Sequence, residues 1–125
     1  MDRHIDFDQD FEAAKKLDFT FIGHHSKLIG QFIFLGPTFL ASNLEGEISM
    51  DGTAPLRIEK MAIIKGTIRG HDIDIFGEVE GKIISSGKVT IRSTAIIKGE
   101  IHCKNLVIHP GANLELEAHS KNSFQ

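Results

Sequence analysis

Seven histidines (His4, His24, His25, His71, His102, His109 and His119), one cysteine (Cys103) and seventeen carboxylates are the residues of this 125-residue chain from which chemistry could be built. Zinc sites are closed by four ligands, or by three and a water. Aligned on the repeat described below, only His102 and His119 share a position, and Cys103, next to His102, should face the other side of a strand. Two ligands fall short of a metal centre, so no metal is expected, and His102 and His119 are only weak candidates. Asp72 with Asp74, and Glu78 with Glu80, resemble the carboxylate pairs of glycoside cleavage, but such pairs must flank a cleft. On a strand or turn they are ordinary solvated groups. No Gly-rich loop opens a helix, so there is no phosphate cradle and no cofactor is expected. Trp and Tyr are absent, which removes the usual sugar-stacking anchors. None of these groups makes a catalytic constellation, and an enzyme is not expected.

The elements that carry these residues form an internal repeat, a feature that sets the whole fold when present. A five-residue unit, apolar-x-Gly-x-apolar, is centred on Gly30, Gly46, Gly66, Gly81 and Gly99, as in Ile64-Lys65-Gly66-Thr67-Ile68 and Val79-Glu80-Gly81-Lys82-Ile83. A sixth copy, Leu114-Glu115-Leu116-Glu117-Ala118, has Leu116 in place of Gly. The centres are 16, 20, 15, 18 and 17 residues apart. Between them lie short stretches alternating with period two and rich in β-branched residues: 38–40, 56–58, 73–75, 89–91 and 106–108. Turn residues separate the two sets, and no helical period follows residue 27.

Short strands at a period near 17 residues fit a β-solenoid better than a sandwich. At about 3.3 Å per residue, 17 residues folded as a triangle give sides of about 19 Å, and six coils stacked at about 4.8 Å make a rod about 29 Å long. The variable step argues against a left-handed helix of strict six-residue repeats and for a right-handed parallel β-helix of about six triangular coils, an all-β fold. The five glycines are expected at inward-facing corners where a side chain would strike the adjacent coil. The residue before each centre reads Ile29, Glu45, Lys65, Glu80, Lys98, Glu115. From the second coil its charge alternates, as register selection between facing coils would require.

Residues 1–20 hold six acids against three bases, so the net charge of −3 belongs to this segment and the rest is formally neutral. Such a body offers little to neutralise phosphates, and no nucleic-acid partner is expected. No apolar stretch approaches the roughly 18 residues of a membrane span, and the acidic start lacks the order of a secretion signal. The lone Cys103 allows no internal disulfide, which suits a reducing cytoplasm. The expected organisation is an acidic N-terminal tail (1–20), one β-helix domain (21–118) and a C-terminal tail (119–125). Within the first tail, 7–17 could form a short amphipathic helix, whose acids would repel anionic lipid.

The tandem Gly-centred units, the run Gly87-Lys88-Val89-Thr90-Ile91 followed by Ala95-Ile96-Ile97-Lys98-Gly99-Glu100-Ile101, and the late Gly111-Ala112 resemble the bactofilins, bacterial polymer-forming cytoskeletal proteins. The resemblance runs from about Phe21 to Ala118. It implies a right-handed parallel β-helix, nucleotide-independent assembly into non-polar filaments through like ends, and a scaffold role in cell shape or envelope growth. It also implies a cytoplasmic site, often at the inner face of the cytoplasmic membrane, with protein clients in envelope synthesis. Leu116 departs from the pattern, 36–43 reads as irregular, and the acidic tail is unlike a membrane-targeting segment.

The ends of such a rod are where function is expected. The Phe cluster at 19, 21, 32, 34 and 39 reads as the core of the first coil with a cover over its open end. The last coil stays apolar through Leu106, Ile108, Leu114 and Leu116, with Phe124 alone in a polar tail. No capping helix follows, and Leu116 in place of Gly suggests that no coil of the same chain stacks above it. Phe32 and Phe34 at one end, and Leu106, Ile108, Leu114, Leu116 and Phe124 at the other, are the expected polymer interfaces. Two other classes compete. A solenoid enzyme, of the hexapeptide-transferase or metal-dependent hydratase kind, calls for a strict six-residue period or three clustered histidines. A carbohydrate-binding solenoid calls for an aromatic groove. The sequence holds none of these.

Overall fold

The computed structural model describes residues 19–120, with the backbone alone over 116–120. Short strands alternate with strands of eight residues: β1 (Thr20–Ile22), β2 (Lys27–Phe34), β3 (Thr38–Leu40), β4 (Asn43–Met50), β5 (Leu56–Ile58), β6 (Ile63–Gly70), β7 (Ile73–Ile75), β8 (Glu78–Ser85), β9 (Lys88–Ile91), β10 (Ile96–Cys103), β11 (Asn105–Ile108) and β12 (Asn113–Ser120). The short strands pair in the order β1-β3-β5-β7-β9-β11 and the long ones in the order β2-β4-β6-β8-β10-β12, every pair parallel. The fold is a parallel β-solenoid of six coils, each made of one short and one long strand.

The period-two stretches become β3, β5, β7, β9 and β11. The region 36–43, which reads as irregular, is regular after all: Thr38–Leu40 pairs with both β1 and β5. The strands run from Thr20 to Ser120, slightly past the expected span at both ends. Unequal steps are absorbed in the turns. The 20-residue step from Gly46 to Gly66 is taken up by the turns 51–55 and 59–62 on either side of β5, without shifting the register of the strands around them.

The register aligns the repeat centres directly: Gly30, Gly46, Gly66, Gly81, Gly99 and Leu116 are successive partners. The residues two before and two after each interior Gly are fully buried, as at Val79 and Ile83. The glycines themselves are not inward-facing, which corrects the expectation; Gly81 and Gly99 lie open to solvent on the side. Gly81 has a φ of 136°, a region L side chains rarely adopt. A Cβ built on it would point along the stack, overlapping the carbonyl oxygen of Gly66 and lying 2.9 Å from its carbonyl carbon.

The overlap is always with the preceding coil. At Gly30, which has none among the described residues, the nearest described atom to a Cβ is on the Phe32 ring at 3.9 Å.

Stacked columns of Leu, Ile and Val from every side fill the interior, including Leu44, Ile64, Val79 and Ile97 from the long strands and Leu40, Ile58, Ile75 and Ile91 from the short ones. A further corner is narrow and takes small residues. Ser42, Ala62, Gly77 and Ala95 occupy it in successive coils, all buried. Ser42 is fully buried and its Oγ has no hydrogen-bond partner. An unmet buried hydroxyl costs about 1–3 kcal/mol. Ser42→Ala, the residue found in the same corner of two other coils, should therefore raise stability by about 1 kcal/mol, read as a higher urea midpoint with an unchanged slope.

The alternating charges do stand in register: Glu45 faces Lys65, Lys65 faces Glu80, Glu80 faces Lys98 and Lys98 faces Glu115. Yet Glu45 pairs diagonally with Lys27 at 3.5 Å, and no ion pair closes along the column among the described residues. Long exposed side chains gain little from one fixed contact in water. Lys65→Glu should then cost only about 0.5 kcal/mol, and the loss should vanish in high salt. A melting curve at two ionic strengths checks both points.

Candidate assembly surfaces

β1 and β2 end the two sheets on one side, and β11 and β12 end them on the other. Among the described residues no strand lies beside the outer edge of any of these four, and a row of unpaired backbone groups of this kind is a template for another chain. The interior columns surface there. Ile22, Leu28, Phe32 and Phe34 are only partly buried at the first end, and Ile108, Ala112 and Leu114 at the last. Phe32 and Phe34 lie with ring centroids 6.3 Å apart and planes within 6° of parallel, stacked and packed against the core. Leu106 is different. It is fully buried within the chain, so it supplies core rather than contact surface. The side chain of Leu116 and all of Phe124 lie outside the described residues.

The first coil carries a second apolar feature that sequence reasoning missed. Phe21, Ile29, Ile33 and Leu35 point outward and are 60–75% exposed, so they are not core. Phe19 sits edge-on to Phe39 at 6.0 Å on the same outer side. The signal was available: Ile29 and Ile33 alternate with the inward Leu28 and Phe32, so their parity puts them outside. Corresponding positions in the next coils hold Glu45, Lys65, Ser49 and Arg69. Among the described residues, five of the six large exposed hydrophobics thus gather on the first coil as an apolar collar, the sixth being Met61.

The residues singled out for chemistry are mostly engaged in holding the coils. Asp74 takes two hydrogen bonds from Arg92, at 2.7 and 2.9 Å, which raise the pKa of that guanidinium above its ordinary value. Arg92 and Arg57 both lie over the Phe76 ring, at 5.2 and 4.5 Å. Asp72 accepts a long bond from the Lys88 backbone. His71 Nδ1 meets Ser86 Oγ at 3.0 Å, and the rings of His24 and His25 are 4.0 Å apart. His102 Nε2 lies 2.9 Å from Glu100 Oε2, and His102 is the register partner of His119. Among the described side chains no three metal-ligating groups converge. Cys103 is buried and faces away from His102.

The family model for bactofilins, described as polymer-forming cytoskeletal proteins, matches residues 20–118. The chain belongs to the bactofilin family. The matched span coincides with the solenoid, so the family's shared structure is the rod itself. The bactofilin BacO of Myxococcus xanthus is 25% identical over 76 residues, 61% of this chain and 59% of that protein. The chain thus matches only about three-fifths of that relative's length. No solved structure matches. Bactofilins are described as a polymer-forming cytoskeletal family. Among the described residues no helix is long and apolar enough to cross a membrane.

Proposed function

We propose that the chain is a scaffold subunit that assembles end to end, first coil against first coil and last coil against last coil, into a filament without nucleotide or metal. One observation carries this reading: among the described residues both sheets finish at both ends in edge strands with no further strand beside them, laid over partly buried apolar columns. A contact between like ends is self-complementary, and two such contacts on one rod generate an open polymer. The coil stacking that buries the core within the chain continues across the contact, so the same apolar burial drives both. Membership of a polymer-forming cytoskeletal family supports the reading. The filament acts in the cytoplasm, at or near the inner face of the membrane, where it organises cell shape or envelope growth by holding client proteins of envelope synthesis.

Negative-stain microscopy and sedimentation of the purified chain test the assembly. Filaments should form, with a pelleted mass unchanged by ATP, GTP or a chelator. A chain that stays monomeric at high concentration, or whose pelleting follows added nucleotide, would sink the proposal.

A further inference from the structure

Single apolar side chains scattered over a surface need no explanation, but a cluster of them marks a contact. The collar of the first coil is such a cluster, and its surroundings are poor in charge. Residues 19–44 contain no Asp or Glu. Their one Lys or Arg is Lys27, which pairs with Glu45 of the next coil at 3.5 Å. The chain also enters the rod at this place. The Thr20 N–H donates to the Pro37 carbonyl at 2.8 Å, which sets Phe19 at the corner that follows Leu35, edge-on to Phe39. The residues before Phe19 therefore start beside Leu35. They hold six acids and three bases, and Phe7, Phe11 and Ala14 recur among them at spacings of four and three, the pattern of an apolar helix face.

We infer that residues 7–17 of the same chain dock on the side of the collar formed by Ile33 and Leu35 and act as a removable cover. Three observations choose this occupant. The segment is tethered at the collar, so the contact closes only a short loop and its effective concentration is high. Its length fits: eleven residues at helical rise span about 16 Å, close to the side of about 19 Å that one coil presents. Its charge fits as well. A segment with six acids meets a coil that has no carboxylate to repel it, whereas the next coil presents Glu45 and Glu47. The same acids disfavour an anionic lipid surface. Ile33 and Leu35 flank Phe34 of the proposed first-end contact, so the cover competes with a second rod for that end and raises the concentration at which rods join. The docking stands without the assembly reading, and only its effect on assembly rests on it.

The test places the photo-crosslinking residue p-benzoylphenylalanine at position 11 of the full chain. Unlabelled and ¹⁵N-labelled protein are mixed in dilute solution and irradiated. The crosslink should join position 11 to the tryptic peptide 28–57 of the same chain, with no product that mixes the two labels. Ile33→Ser/Leu35→Ser, both outward-facing and exposed, should lower its yield about tenfold. Met61→Ser, at the exposed hydrophobic away from the first coil, should leave the yield unchanged. In the pelleting assay Phe7→Ser/Phe11→Ser should lower the concentration at which polymer first appears by about threefold or more. A crosslink absent from 28–57, or undiminished in Ile33→Ser/Leu35→Ser, overturns the inference. Mixed-label products would assign the collar to a second copy. Flotation with phosphatidylglycerol vesicles that is lost in Ile33→Ser/Leu35→Ser would assign it to lipid. Either result overturns the inference too. A chain that never pellets counts against the assembly reading, while the crosslink still decides the docking.

Discussion

Gly81→Val should lower the stability of the rod by about 3–6 kcal/mol, whereas Gly30→Val should cost only about 1–3 kcal/mol. The two positions share a backbone conformation, with φ of 136° and 143°. A side chain at either place pays the strain of a conformation that L-residues avoid. Only at Gly81 does the Cβ also run into the backbone of the coil below, at Gly66. Backbone in mid-sheet cannot yield as a flexible side chain does, because a shift there breaks ladder bonds on both sides. The difference between the variants therefore isolates the stacking overlap from the strain. For a domain of this size the Gly81 loss corresponds to a fall in melting temperature upward of about 10 °C. Equal falls in both variants would show that strain alone, and not close coil stacking, requires glycine.

Blocking one end of the rod should yield dimers, and blocking both should yield monomers. Phe34→Arg places a guanidinium on the partly buried aromatic surface of the first coil. Leu116→Arg and Phe124→Arg do the same for the last coil as the sequence lays it out. Phe34 is only partly buried in the free subunit, so the fold and its β circular dichroism should persist when that position carries the charge. In a closed contact each becomes a buried unpaired charge, at a cost of about 3–5 kcal/mol, enough to weaken the contact at least a hundredfold. If like ends meet, each single-end variant keeps one working contact and stops at a dimer by sedimentation velocity. A head-to-tail filament would instead fall to monomers in every single-end variant. Filaments surviving both single-end variants would mean that the rods associate through other surfaces, the apolar collar of Phe21, Ile29, Ile33 and Leu35 being the first to examine.

The sequence by itself determined the solenoid, the number of its coils and the register between them. In a repeat protein each unit pairs only with its neighbours, so a pattern written along the chain is also the pattern of contacts. The Gly column, the charge column and the positions of β3, β5 and β7 all followed from that one-dimensional order. What the tertiary structure alone decided depends on backbone direction and side-chain reach. The glycines point along the stack and not inward, because φ values near 136° turn the missing Cβ toward the coil below. The early phenylalanines divide into inward Phe32 and Phe34 and outward Phe19, Phe21 and Phe39, since composition counts aromatics without saying which side of a strand they occupy. The alternating charges face one another without closing into ion pairs, because long solvated side chains are not held by register. Glu100 reaches His102 across two residues of β10, a contact that repeat alignment, which compares only equivalent positions, had no means to see.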